Sequence, residues 1–553
     1  MQRARCLRGI LYFAPLAFLG VFYVYPLLSI FDVSLRPAGL LDLSSFVRLL
    51  SSDYYIGTLL FTIYQAALST AVTLLLATPC AFALARYQFR GKTMLLSLAT
   101  LPFVLPTVVV ALAFATLLGA NGLLNDALRT LFTLDYEPIQ LERTLAMIII
   151  AHVFYNFAVA LRIITGYWSA VGFSVEEAAR CLGADELALW REIRLPLLRP
   201  ALLSAGVLVF IFSFTSFGVI LILGGIRFAT LEVQIYYQAV SMFNLPLAAA
   251  LSLVQILSML AMMIIYTSTQ KRLQLAIASA KSVAKRARTL RERLGLGICA
   301  ALISILLFAP LVALALRSVV VAGQLDFANY ASLAEKSRGS LLFIAPLDAV
   351  FNSLRFALIA MTIALCLGLI ASYMIEGRGP LSRIWDPLFM LPLATSAVTL
   401  GFGFIIALDE PPLNLRASWL IIPISHTLVA LPFVIRSVLP SLRTIPRSLR
   451  EAAQTLGATP VDSLLTIDLP LLGRGIAVGA TFAFTVSMGE FGASLFVAQR
   501  ESVTIPVVIY RLLGDPGMAS YRQALAMSVV LMLVCACAFV VIERLRIAGV
   551  GEF

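Results

Sequence analysis

Apolar stretches long enough to cross a bilayer recur twelve times along this chain. A helix needs roughly 20 residues to traverse ~30 Å of hydrocarbon, and runs of that length lie near Gly9–Phe31, Ile56–Arg86, Thr93–Gly119, Thr144–Trp168, Ala201–Gly225 and Leu245–Thr269. Six more follow near Leu294–Val321, Val350–Ile375, Ile384–Leu408, Ala417–Val438, Leu472–Ala498 and Tyr521–Ile542. Lipid offers no partner to an unpaired backbone N–H or C=O, so each crossing must satisfy its own hydrogen bonds as a helix. The composition agrees: 61 % of the 553 residues are hydrophobic and 13 % charged, about half the charged share of a soluble domain. The expected fold is all-α and integral to a membrane, with about twelve transmembrane helices. Arg3, Arg5 and Arg8 ahead of the first stretch give it the look of a secretory signal, but its apolar run is longer than a signal's. It reads as a retained first span.

The net charge of +12 could suggest a nucleic-acid partner, so where the charges sit matters more than their sum. With the amino terminus in the cytoplasm, cytoplasmic segments carry 26 of the Lys and Arg residues and external segments 12, while Arg162, Arg355 and Arg436 fall in or beside spans. That bias obeys the positive-inside rule. It predicts a multi-pass membrane protein with both termini cytoplasmic, a lipid bilayer as its surroundings and no nucleic acid. The densest run, Lys271–Arg293, would be a cytoplasmic linker, either against anionic headgroups or simply solvated. The seven cysteines lack metal-ligand spacing and read as packing residues.

Residues His152–Tyr236 align without a gap on His426–Tyr510 at an offset of 274, with 23 identities in 85 positions. The only two histidines coincide, as do Arg162 with Arg436 and Phe217-Gly218 with Phe491-Gly492. Six spans separate equivalent points, so the two halves are parallel repeats with a pathway expected between them. The first repeat would occupy 1–270, the linker 271–293 and the second repeat 294–553.

The most polar part of the repeat reads Glu177-Ala178-Ala179, Gly183 and Ile193-x-Leu195-Pro196, then again Glu451-Ala452-Ala453, Gly457 and Ile467-x-Leu469-Pro470. Each copy suits a short helix, with Ser174 or Ser448 as N-cap and Glu177 or Glu451 three residues on in capping-box register. The glycine then permits a sharp reversal or a close approach by a partner's backbone. Glu177 and Glu451 could act only as local caps. This is the EAA motif, and the chain resembles the permease subunits of bacterial binding-protein-dependent ABC importers of the MetI-like type, over about 56–269 and 350–542. The resemblance implies that Glu177, Ala178, Ala179 and Gly183, with Glu451, Ala452, Ala453 and Gly457, dock two copies of a separate ABC ATPase subunit. It also implies an extracytoplasmic substrate-binding protein and a place in the bacterial plasma membrane. The chain has no G-x-x-x-x-G-K-[ST] loop, since Gly91-Lys92-Thr93 lacks the upstream glycine. No catalytic residues and no cofactor are expected, and ATP hydrolysis falls to the ATPase subunit. An ion-gradient-driven carrier is the distant alternative, but it would have no use for two matched cytoplasmic helices.

Ionisable groups inside spans are functional candidates by default. Glu490 follows Ser487-Met488-Gly489, and its counterpart is Ser216, after Ser213-Phe214-Thr215. These four, Glu490, Ser216, Ser213 and Ser487, are the pathway candidates, although Glu490 could equally bond to a neighbouring helix. His152 and His426 could pair on a metal, but two histidines are a thin ligand set and interhelical hydrogen bonding fits them better. No metal site is expected. Arg162 and Arg436 are expected to snorkel toward the cytoplasmic surface.

Fused two-half permeases of this type resemble the thiamine and ferric-iron branch. Phe214-Thr215-Ser216-Phe217-Gly218, Leu223-Gly224-Gly225 and Ala229-Thr230-Leu231-Glu232-Val233 look more like thiamine permeases, as does Ala151-His152-Val153-Phe154-Tyr155-Asn156, whereas Ile226-Arg227-Phe228 departs from a Gly-Pro-rich link. Ferric iron wants hard oxygen ligands, while an organic cation can pass between aromatic faces and hydroxyls. Thiamine or its phosphates are the first expectation for the cargo and ferric iron the alternative.

Overall fold

The computed structural model describes residues 2–37, 39–171, 173–277, 285–321, 324–335, 342–377, 382–409, 411 and 413–547. Lys281 of the linker, Lys336, Arg338 and Arg378, all counted in the charge argument, lie outside the described residues. Eleven helices among the described residues are long and apolar enough to cross a membrane. A twelfth crossing results if the pair Ile384–Leu393 and Ala397–Ala407, bent by 92°, is a single span. The expected all-α, two-repeat membrane fold is what forms. Outside the helices, the described strands are only the two-residue pairs Val320–Val321 and Gln324–Leu325.

The repeat is visible element by element. Leu145–Val171, Ser174–Cys181, Leu195–Phe214, Gly218–Leu223 and Leu231–Tyr236 return as Ile421–Thr444, Arg447–Thr455, Leu469–Gly489, Gly492–Val497 and Ile505–Gly514. We refer to Leu145–Val171 and Ile421–Thr444 as the fourth and tenth spans, and to Leu195–Phe214 and Leu469–Gly489 as the fifth and eleventh.

Several spans differ from the sequence expectation. The third, expected near Thr93–Gly119, is broken into Lys92–Leu98, Leu101–Val104 and Thr107–Leu118. Pro102 and Pro106 cannot donate the backbone bonds that would carry a helix through. The ninth breaks beside Pro392, and Ser396 then caps the next helix by accepting from the Val398 N–H at 3.1 Å. The fifth and eleventh stop at Phe214 and Gly489 rather than running on to Gly225 and Ala498, and a short helix restarts after each break. Hydropathy alone could not mark those breaks, because the residues on both sides are apolar.

Inside each half, spans pack closely through small side chains such as the fully buried Ala66, Ala77, Ala151, Ala160, Ala201 and Ala205. Lipid is as apolar as leucine, so close van der Waals fit, not hydrophobic burial, holds such helices together. Between halves, the first span of each packs against the other half. Tyr25–Leu35 lies on Ala397–Ala407 of the second half as well as on Leu245–Ile277 of its own, and the Tyr23 hydroxyl donates to the Leu391 carbonyl at 3.0 Å. Reciprocally, Leu290–Val319 lies against Asp53–Arg86 and Thr107–Leu118. These crossed helices join the two halves around a central cavity.

Candidate functional site

The two EAA segments form short helices on the surface, Ser174–Cys181 and Arg447–Thr455. Glu177 and Glu451 are exposed on them. Each helix ends in the same way. The Gly183 N–H donates to the Arg180 carbonyl and the Ala184 N–H to the Ala179 carbonyl, both at 3.0 Å. Gly457 and Ala458 repeat these bonds to Gln454 and Ala453 at 3.0 and 2.9 Å. This is a Schellman stop, and it puts Gly183 at φ +88° and Gly457 at φ +87°, a left-handed conformation that favours glycine.

The capping expectation needs correcting. The N-caps are Phe173 and Pro446, with no side-chain capping bond at either. Ser174 and Ser448 lie inside the first turn, because each helix starts before the residue expected to cap it. Glu177 does not reach back to the N-cap but pairs with Lys285. Lys285 is held against this helix by backbone bonds, its N–H donating to Arg86 and its carbonyl accepting from Gln88, both at 2.9 Å. The adjacent ammonium holds the Glu177 carboxyl below the usual carboxylate range. Glu451 has no counterpart to Lys285 among the described ion pairs.

Sequence reasoning overlooked the residue next door. Glu176 is buried and pairs with Arg194 at 2.9 Å and with Arg86 at 3.1 Å. Its repeat-equivalent is Arg450, which pairs with Asp468 at 2.8 Å. Asp468 in turn is the equivalent of Arg194. Both positions therefore change sign together between the halves, a signal that was present in the 85-residue alignment at offset 274 but hidden by scoring identities alone.

The central cavity, about 360 Å³, is walled by both halves and falls within the range of ~300–1,000 Å³ usual for small-molecule sites. Glu490 and Ser216 line it from opposite halves, together with His152, Tyr155, Phe217 and Phe491. The Phe217 and Phe491 rings stack at 5.6 Å across the junction. A Cβ on Gly218 would lie 2.3 Å from the Thr107 hydroxyl oxygen, so glycine is what lets the restarted helix come this close. Glu490 Oε1 accepts from the Ala493 N–H at 3.0 Å and so caps the helix restarting at Gly492.

Ser213 and Ser487 sit behind that wall. Ser213 Oγ accepts from the Asn156 amide at 3.1 Å, and Ser487 bonds to His426 Nδ1 at 2.7 Å. Both histidines make interhelical bonds, His152 Nδ1 to Ser69 at 3.0 Å and His426 Nε2 to Ser494 at 2.7 Å. His152 Nε2 is left without a protein partner at the cavity. Glu232 is a further buried carboxylate, in the short helix Leu231–Tyr236 between two spans, where hydropathy of the spans does not single it out. It accepts from Ser396 at 2.7 Å and from Gln255. Its quoted place in Thr230-Leu231-Glu232-Val233 was the available signal.

Arg162 and Arg436 both line a second cavity of about 420 Å³ nearer the EAA helices. Arg436 also pairs with Asp386 at 3.4 Å. Phe212 borders both cavities. Along the fourth span, His152–Asn156 face the first cavity, Ala158–Ile163 the second, and the EAA helix follows at Ser174.

The sequence profile described as "Binding-protein-dependent transport system inner membrane component" matches residues 56–275 and 364–546. The thiamine transport system permease protein ThiP of Brucella abortus (strain 2308) is 27 % identical over 489 residues, covering 88 % of this chain and 86 % of its own. The protein of the same description from Escherichia coli (strain K12) is 27 % identical over 494 residues, covering 88 % of each. A putative 2-aminoethylphosphonate transport system permease protein PhnU of Salmonella paratyphi A is 28 % identical over 259 residues, which are 47 % of this chain and 90 % of its own. The two matched segments fall on the two structural repeats, and this chain belongs to the inner membrane components of binding-protein-dependent transport systems, the permease subunits of ABC importers.

Proposed function

We propose that this permease carries thiamine or its phosphate esters inward. The observation that carries the reading is the likeness to thiamine permeases across both halves, over 88 % of the chain. The central cavity is chemically compatible with it. Tyr155, Phe217 and Phe491 offer faces to an aromatic cation, Glu490 offers one carboxylate, and His152 Nε2 offers one free hydrogen-bonding atom. A hard ferric ion would want several oxygen donors, and Glu490 is the only carboxylate among the described residues of that wall.

In this reading a binding protein delivers cargo to the outer face, and two ATPase copies dock on Glu177, Ala178, Ala179 and Gly183 and on Glu451, Ala452, Ala453 and Gly457. Ser216 and Glu490, backed by Ser213 and Ser487, line the route. The repeats 1–270 and 294–553 close and open about the central cavity, with the 271–293 linker and both termini on the cytoplasmic side. ATP can shift the access equilibrium only if the docking helices bind the ATPases differently in the two states. The test is uptake of labelled thiamine, thiamine monophosphate and ferric iron by vesicles holding the permease with its ATPase and binding protein. Thiamine uptake is expected, and uptake of iron alone would overturn the assignment.

A further inference from the structure

In each half an ion pair ties the EAA helix to the turn entering the next long span, and the two pairs have opposite polarity; in the first half Arg194 also pairs with Glu186 at 2.6 Å. In the first half the EAA helix supplies the acid, Glu176, and the turn entering the fifth span supplies the base, Arg194. In the second half the EAA helix supplies the base, Arg450, and the turn entering the eleventh span supplies the acid, Asp468. A third member comes from an equivalent helix each time. Arg86, at the end of Asp53–Arg86, reaches Glu176 at 3.1 Å. Tyr373, near the end of Pro346–Glu376, donates its hydroxyl to Asp468 at 2.8 Å.

Stability alone does not account for this arrangement. The Glu176 and Arg194 side chains are 3 % and 1 % exposed, and a pair so buried contributes no more than well-packed apolar residues would, because desolvation offsets the attraction. What the two halves share is neither the identity of the residues nor the sign of either partner. They share only the attachment.

Arg194 and Asp468 each close a π-helical turn, Leu189–Arg194 and Leu464–Asp468, a form that concentrates at functional positions. Each leads directly into the fifth or eleventh span. Those spans run 20 and 21 residues to the breaks at which Ser216 and Glu490 line the central cavity. At ~1.5 Å per residue each is a rod of about 30 Å, able to pass a displacement from one end to the other.

We propose that the Glu176–Arg194 and Arg450–Asp468 pairs are the couplings that pass movement of the ATPase-docked helices to the spans walling the cavity. The proposal rests on the docking reading but not on the identity of the cargo. These four are positioning residues, acting through the fifth and eleventh spans.

The experiment uses the full importer in proteoliposomes, reading transport, ATP hydrolysis and co-purification of the ATPase subunit separately. Glu176→Arg alone and Arg194→Asp alone are expected to lower transport at least about tenfold while hydrolysis continues and the ATPase stays bound. The triple change Glu176→Arg, Arg194→Asp and Arg86→Tyr, made together with Glu186→Gln because Glu186 also pairs with Arg194 at 2.6 Å, brings the second half's polarity into the first. It is expected to restore transport to within about threefold of the parent. Glu176→Leu with Arg194→Met keeps the packing without the charges and guards against simple misfolding; this variant is expected to insert, bind the ATPase and remain uncoupled. Normal transport in the Leu/Met variant or in both single variants would overturn the proposal, as would failure of the combined variant to recover while still holding the ATPase. Failure of the docking reading would register separately, as an unaltered protein that does not hold its ATPase through these helices.

Discussion

Replacing Gly183 and Gly457 separates two reasons for which a glycine can stand after a docking helix. Each sits at a φ near +88°, yet a Cβ built at either would meet nothing within 4 Å. An alanine in the isolated permease therefore costs only the left-handed backbone penalty, about 1–2 kcal/mol per site. The sites lie in different halves, so the double variant should lose about 2–4 kcal/mol by addition. If that strain shifts the docking helix out of its bound shape, the ATPase concentration giving half-maximal cargo-stimulated hydrolysis should rise about 5- to 30-fold for each alanine. Asparagine tolerates the left-handed region better than other residues, so Gly183→Asn with Gly457→Asn should recover most of the loss. A β-branched valine should fare worst. If asparagine proves as damaging as valine, backbone strain is not the reason and a partner's backbone must pass where the glycine is. If alanine changes nothing in either half, neither account of these glycines stands.

Three further outcomes are expected. Single cysteines placed in the 271–293 linker should resist an impermeant reagent applied outside intact cells, and ready labelling would overturn the topology. Glu490→Gln removes the one carboxyl group of the cavity wall and should lower uptake of a cationic cargo by roughly tenfold, on the scale of a strong hydrogen bond, with Ser216→Ala costing much less; equal effects would remove Glu490 from the pathway. The tie between Glu177 and Lys285 should depend on pH. Because Lys285 depresses the Glu177 pKa, the tie is present above the ordinary carboxylate value and is lost as pH falls below it. Proteolysis at 285–289 should then rise between about pH 5 and pH 3, and constant protection over that interval would count against the contact.

The membrane class, the repeat and the two EAA helices were legible because each rests on a long or duplicated pattern. Hydrophobic length needs no tertiary information, and a motif found twice at one spacing is hard to obtain by chance. The role of Glu177 as a cap was misread because capping depends on where a helix starts, and the turn before Ser174 is set by Phe173 and by contacts distant in sequence. Glu176 and Glu177 are neighbours in the chain but stand about 100° apart on a helix, so one is buried on Arg194 and the other faces Lys285. Nothing in the local sequence says which. The breaks after Phe214 and Gly489 were invisible for a different reason: they are shaped by packing across the junction, where Phe217 meets Phe491 and Gly218 meets Thr107.

That stacked pair has a consequence for how such a chain can diverge. Two rings at equivalent positions lie on each other only where the axis relating the halves passes between them. A permease assembled from two identical chains would have to place every residue near that axis in duplicate, and an acid there would face its own copy and compete with it for one proton. Joining the halves in one chain lifts that restriction. Glu490 stands opposite Ser216, and Glu232 corresponds to Pro506, so neither buried acid has an acidic twin. A homodimer of the second half alone would duplicate Glu490, and a homodimer of the first half would duplicate Glu232.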